Sequence, residues 1–231
     1  MKLNPAQTAL FETFLSDNPA LALLKDDILA AAQMLIECYE KGGKVLTCGN
    51  GGSASDAEHI VGELMKGFLL KRPLDENDRK ALRIAGAEDT FADGLQKGLP
   101  AISLVSQTAL MTAYLNDVDS DMVFAQQVFT YGNGNDVLIG LSTSGNSRDV
   151  VNAVLAARAK GTKTLCITGE KESRLSDLSD LCLRTPSAAT YRVQEYTLPI
   201  YHVLCALTEL YFFEIGGSVV EGGPLSQFSA R

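Results

Sequence analysis

From Lys44 onward the chain is punctuated by five short apolar runs, at residues 45–48, 101–105, 137–141, 164–168 and 181–184. Each is rich in Val, Ile and Leu at consecutive positions rather than alternate ones. A strand written that way is buried on both faces. Between the runs lie stretches with helical spacing, and strands joined through helices pair in parallel. The expectation is an α/β fold, a five-stranded parallel sheet with helices covering both faces.

The flanking segments add helices. Asn4 is a cap and Pro5 suits a first turn, with Leu10, Phe11, Phe14 and Leu15 on one face. Asp17-Asn18-Pro19 ends that helix. A longer one follows through Leu21, Leu24, Ile28, Ala32, Leu35, Ile36 and Tyr39, stopped by Gly42-Gly43. A final helix is expected over 191–214, and Gly216-Gly217 and Gly222-Gly223-Pro224 mark an irregular glycine-rich tail at 215–231. Residues 70–98 are highly charged, carry no strand signal and are expected to be partly helical over 78–84. They read as a solvated surface insertion, with an active-site lid as the alternative. The whole of 1–231 is then one domain: helices over 1–41, the sheet, the 70–98 insertion and the tail.

Charge narrows the partners. With 20 Lys+Arg against 28 Asp+Glu, the net charge is −8, which argues against a broad basic face for nucleic acid or anionic membrane. No apolar run approaches the ~18 residues of a membrane span, and the first residues lack the apolar core of a secretory signal. Five cysteines, an odd number with no Cys-x-x-Cys pair, sit mostly in apolar stretches and read as buried thiols in a reducing compartment. A soluble, cytoplasmic chain is expected.

Two loops carry anion chemistry. The first strand runs into Gly49-Asn50-Gly51-Gly52-Ser53-Ala54-Ser55-Asp56, the third into Ser142-Thr143-Ser144-Gly145-Asn146-Ser147, and each opens a helix. Glycines admit an anion to the backbone, helix-start amides point at it, and hydroxyls add donors. That suits a phosphate monoester. Neither loop is a Walker A, and Gly49-x-Gly51 lacks the third Rossmann glycine. Taken singly, such loops are also ordinary turns and caps.

The only two histidines each lie on a helix with a polar partner. His59 and Glu63 are four residues apart and share a face; Gln194 and His202 lie on the final helix. Glu63 suits a general base and His202 a general acid or base. Alternatively, His59, Glu63, Gln194 and His202 together offer N/O ligands to a divalent metal. A solvated His/Glu pair and a hydrogen-bonded core histidine are the plainer readings.

Together these residues resemble a known family. Cys48-Gly49-Asn50-Gly51-Gly52-Ser53, Asp56-Ala57-x-His59 and Glu63-Leu64 are similar to the sugar isomerase (SIS) domain of phosphoheptose isomerases. So are residues 140–147, Ile167-Thr168-Gly169, and Arg192-x-Gln194-Glu195 followed by His202. The resemblance implies a flavodoxin-like αβα sandwich and a sedoheptulose 7-phosphate isomerase forming glycero-manno-heptose 7-phosphate. It also implies a homotetramer with active sites at subunit interfaces, and zinc. The matching phosphate-loop positions are Ser53, Ser142, Thr143, Ser144 and Ser147, with Asn50 nearby. Glu63 matches the family's base, His202 its acid, and His59, Glu63, Gln194 and His202 its metal ligands. Three departures stand out: Tyr191 where the family has Asp, Pro199 as a possible kink between Gln194 and His202, and the 70–98 insertion. The insertion and Tyr191 suggest, as one alternative, an isomerase or sensor of another phosphosugar. The shared fold and serine loop leave, as the other, a non-catalytic SIS-fold binding protein akin to replication initiator-associating proteins, which lack the Glu and the final-helix His. The presence of both Glu63 and His202 favours the enzyme.

Overall fold

Asn4 starts the first helix by a reciprocal cap. Its side chain accepts from the Gln7 amide at 2.7 Å while the Gln7 side chain accepts from the Asn4 amide at 3.0 Å. Helix α1 (Pro5–Asp17) buries Phe11 and Phe14, whose rings stack at 5.9 Å. The computed structural model describes residues 2–214, so the expected 215–231 tail lies outside the described residues. The second expected helix divides into a 3-10 turn (Pro19–Leu24) and α2 (Lys25–Glu40). Leu21 and Leu24 are three apart, a spacing that eclipses in a 3-10 turn, so both stay buried despite the change of helix type.

The alternation then unfolds as β1 (Val45–Gly49), α3 (Gly52–Met65), α4 (Glu76–Ile84), α5 (Asp89–Asp93) and β2 (Ala101–Ser103). It continues through α6 (Thr108–Asp117), α7 (Val123–Tyr131), β3 (Val137–Leu141), α8 (Arg148–Ala159), β4 (Lys163–Thr168), α9 (Arg174–Leu178), β5 (Leu181–Arg184) and α10 (Thr190–Phe213). All neighbouring strands pair in parallel, in the order β2-β1-β3-β4-β5. Side chains leave alternate faces of each strand. Val137, Ile139 and Leu141 join one core with α1, α2, α3 and α10, while Leu138 joins the other with α7, α8 and α9. The expected α/β sandwich is the fold.

One strand is shorter than its apolar run. β2 ends at Ser103, and the Leu104 amide makes its last bond to β1, donating to the Thr47 carbonyl at 2.9 Å. Leu104 is apolar because its side chain is fully buried in the second core beyond the end of the strand. All five cysteines are free, and burial pushes the Cys166 thiol up to about 12. Among the described residues no helix is long and apolar enough to cross a membrane.

The 70–98 insertion forms a surface excursion closed by an antiparallel bridge between Pro73 and Gln96. It carries α4 and α5, more helix than the expected 78–84, and α4 buries none of its residues. Ion pairs from Lys97 to Asp75 and Asp78, and from Arg79 to Asp93, hold it together. Pro199 does not break α10, which carries Gln194 and His202 on one continuous helix.

The turn between α2 and β1 uses its two glycines for different reasons. Gly42 has φ +70° and open space around its missing Cβ, whereas a Cβ on Gly43 would stand 2.1 Å from the Asn135 carbonyl oxygen. Gly42→Ala should therefore cost about 1–2 kcal/mol, the left-handed penalty. Gly43→Ala should cost more than about 3 kcal/mol, because backbone must move. Urea denaturation of the two variants checks the order; equal losses would contradict it.

Candidate active site at the carboxyl ends of β1 and β3

The strand order reverses between β1 and β3, and ligands of open parallel sheets bind in the crevice at such a reversal. Both hydroxyl-rich loops lie there. Gly51 (φ +58°) and Gly145 (φ +65°) take the left-handed turns. A Cβ on Gly145 would also stand 2.1 Å from the Ser173 hydroxyl. Asn50 of the first loop donates to both carboxylate oxygens of Asp149, at 3.0 and 2.9 Å, tying it to the start of α8. Ser142 and Ser147 hydroxyls bond at 2.8 Å across the second loop. Ser53 and Ser142 are buried, Thr143 and Ser147 half-buried, and Ser144 and Asn50 exposed. Neither α3 nor α8 is capped by its N-cap side chain. Although the Ser53, Ala54 and Val150 amides are already bonded within the loops, the Gly52 amide of α3 and the Arg148 and Asp149 amides of α8 are left to a ligand.

Further along α3 stands the titratable cluster. His59 Nε2 lies 3.0 Å from Glu63 Oε1, and His59 Nδ1 lies 2.8 Å from the Tyr201 hydroxyl of α10. Tyr201 in turn donates to Asp56 Oδ1 at 3.3 Å. A hydroxyl has one proton; given to Asp56, it leaves the Tyr201 oxygen to accept from His59 Nδ1–H. In neutral His59, Nε2 then faces Glu63 with a lone pair. Contact with a carboxylate there calls for a proton or a cation between them. Burial, then Asp56, push the Tyr201 phenol above its usual range. Asp56 is itself raised by burial, with Tyr201 and His59 opposing.

His202 meets His59 edge-on, ring centroids 5.0 Å apart and planes at 87°. The Phe68 ring lies 5.4 Å away on another side. Burial first, then the neighbouring His59, hold the His202 imidazole below its usual value, with Glu63 opposing. Its Nε2 is buried without a hydrogen-bond partner. A cleft of about 270 Å³ between α1 and α10, lined mostly by apolar groups such as Leu10, Phe14 and Val203, opens beside it. Glu63 is 8% exposed, and Lys66 Nζ reaches its second oxygen at 3.1 Å.

The fold thus gathers Asn50, Ser53, Ser142, Thr143, Ser144 and Ser147 into one loop cluster, and His59, Glu63 and His202 into a second group. Gln194 belongs with the loops: its Nε2 stands 2.5 Å from where a Gly52 Cβ would lie, over the first turn of α3. Two imidazoles and a carboxylate are zinc-type donors, although no three His, Cys, Asp or Glu among the described residues form a ready cage. The unpartnered His202 Nε2 and the lone pair of His59 fit a cation. Tyr201, Phe68, Lys66 and Asp149 were not singled out from sequence. Lys66 follows Glu63 by one helical turn, a usable signal; Tyr201 and Phe68 needed the packing of α10 on α3.

Comparison with known proteins identifies the family. Two SIS domain models match, over residues 101–208 and 19–79. The phosphoheptose isomerase of Helicobacter pylori (strain P12) is 40% identical over 193 residues, 84% of this chain and 88% of that protein. The phosphoheptose isomerase of Roseiflexus sp. (strain RS-1) is 40% identical over 187 residues, 81% and 83% of the two chains. Among solved structures, a phosphoheptose isomerase from Francisella tularensis superposes with TM-score 0.69 at 30% identity, covering 87% of this chain and 95% of its own. The phosphoheptose isomerase from Neisseria gonorrhoeae gives 0.66 at 30% identity, over 85% and 93%. With SIS models matching most of the chain and relatives 40% identical across more than four-fifths of it, this chain belongs to the phosphoheptose isomerase family of SIS-domain proteins.

Proposed function

We propose that the chain is a phosphosugar isomerase interconverting sedoheptulose 7-phosphate and glycero-manno-heptose 7-phosphate in the cytoplasm. The observation that carries this reading is that Glu63 and His202, on two packed helices, both adjoin His59 on the helix that springs from the phosphate-type loop. Ser53, Ser142, Thr143, Ser144 and Ser147 would grip the phosphate, with Asn50 held beside them by Asp149 and Gln194 contacting the sugar. A clamped far end presents the sugar's first two carbons to the acid–base groups. Glu63 removes a proton from C1 of the ketose, O2 is protonated, and an enediol forms. Loss of the O1 proton and return of the carbon-bound proton to C2 complete the aldose. His202 is suited to moving the oxygen-bound protons: starting neutral through burial, its imidazole takes the O1 proton and gives one to O2, and the two transfers together return it to the neutral form.

Zinc would be held by His59, Glu63 and His202, with Gln194, the fourth ligand expected from the family, read here as a substrate contact. When bound, it would polarise the carbonyl and stabilise enediolate charge. Homotetramer formation with sites at interfaces is supported by apolar exposure on the site's own helices: Met65 of α3, and Tyr191 and Leu198 of α10. Tyr191 stands at the start of α10, where it would meet a partner subunit or the sugar.

Incubation with pentose, hexose and heptose phosphates in deuterated water should incorporate deuterium at C1 or C2 of the heptose. Glu63→Gln should slow this about 10²–10⁴-fold, and Ser144→Ala should raise KM with kcat nearly unchanged. Exchange confined to another sugar would reassign the substrate; none with any, with or without zinc, would leave a binding protein. Metal titration followed by elemental analysis should show one zinc per chain, lost in His59→Ala; an unchanged content would remove His59 from the site. In metal-free protein the unfolded state protonates His202 below pH 6.5 while the folded state resists, so stability falls as pH drops from 6.5 through the folded value. Denaturation across pH 4–8 should show that slope flattened in His202→Gln; identical slopes would contradict the assignment.

A further inference from the structure

We infer that the buried ion pair between Arg72 and Glu209 is a positioning device for the acid–base groups, an inference that rests on the isomerase reading above. Both side chains are wholly buried. Arg72 Nε donates to Glu209 Oε1 at 2.7 Å, Nη1 to the Leu64 carbonyl at 2.7 Å, and Nη2 to the Glu63 carbonyl at 3.2 Å. Those carbonyls lie in the last turn of α3, where a helix lacks internal partners. The guanidinium therefore caps the helix at the residue that carries the base.

Glu209 works on the other side. Its carboxylate accepts from the amides of Phe68, Leu69 and Leu70 at 2.8, 2.6 and 3.2 Å. It lies seven residues beyond His202 on α10, two turns along the same face. Phe68, fixed by this carboxylate, is the residue whose ring packs on His202. One ion pair thus fastens the backbone of Glu63, the wall of His202 and helix α10 at fixed distances.

Buried ion pairs are poor sources of stability, because desolvation offsets attraction, and apolar pairs often serve as well. What charge adds here is direction: each donor and acceptor is aimed at a particular backbone atom on a different segment. The surface excursion also leaves and returns at this point, since the Lys97 amide donates to the Arg72 carbonyl at 2.7 Å. Its roots are held by the clamp rather than by α3 alone.

The test compares Arg72→Lys, which keeps charge but loses the fork, and Glu209→Gln, which keeps shape but loses charge, with Lys44→Met. Lys44 pairs with buried Asp136 at 2.6 Å, at the amino ends of β1 and β3, opposite the site. The clamp variants should lose about 10- to 100-fold in kcat, as expected for small misplacement of reacting groups. Their KM should stay within about 3-fold of wild type, because the phosphate loops are untouched. Lys44→Met should melt earlier with kcat unchanged. Proton NMR supplies a readout without turnover: the His202 ring resonances should move in the clamp variants, as the Phe68 contact loosens, and stay put in Lys44→Met. Folded clamp variants with wild-type kcat and unmoved His202 resonances would overturn the inference, as would failure of both to fold. Absence of wild-type turnover would defeat the isomerase reading separately, and the His202 resonances would then decide the clamp.

Discussion

The pairing of β1 with β3 is the constraint on which the site depends. Five consecutive positions match, from Val45 with Val137 to Gly49 with Leu141, and every one of these residues is buried. With no water at hand, an unpaired ladder amide or carbonyl costs about 1–3 kcal/mol, so the register has little freedom. Because the ladder runs to the last residue of each strand, the two loops emerge side by side. Residues 50 and 149, almost a hundred positions apart, then meet in a hydrogen bond. Under the proposed function, an acidic chain would bind a phosphate here with few cationic side chains, using amides, hydroxyls and two helix starts.

The second relation that matters is the packing of α10 on α3. It joins Tyr201 to His59, stacks His202 edge-on against His59, and buries the Arg72–Glu209 pair at one end. Dry surroundings give these contacts their chemistry: burial keeps His202 neutral and limits the partners available to its ring nitrogen. In the proposed reaction the helix that springs from the first hydroxyl-rich loop also carries the base, so substrate grip and proton transfer would share one rigid element.

Much of the fold was legible because its signals are local. Five apolar runs became five strands, and Asn4 with Pro5 opened α1 as capping chemistry requires. Where local reading erred, a tertiary demand was responsible. Leu104 and Val105 extend the second apolar run because Leu104 fills a core beyond the strand's end. Leu21 and Leu24 satisfied a 3-10 turn and an α-helix equally well, since both geometries return a side chain to nearly the same face after three residues. Pro199 suggested a kink, yet α10 continues, its buried residues Val193 to Leu210 holding the helix on both sides of the missing amide.

The sequence by itself determined the strand-and-helix alternation, the two hydroxyl-rich loops and the identities of Glu63, His59 and His202, because periodicity and residue chemistry are written locally. Only the tertiary structure decided which of these meet. It set Gln194 over Gly52, enlisted Tyr201 and Asp56 to orient His59, and set Arg72 against Glu209. Those relations depend on how far apart two helix axes lie and which faces they turn to each other. Side-chain packing across the whole core sets both, and no window of sequence contains it.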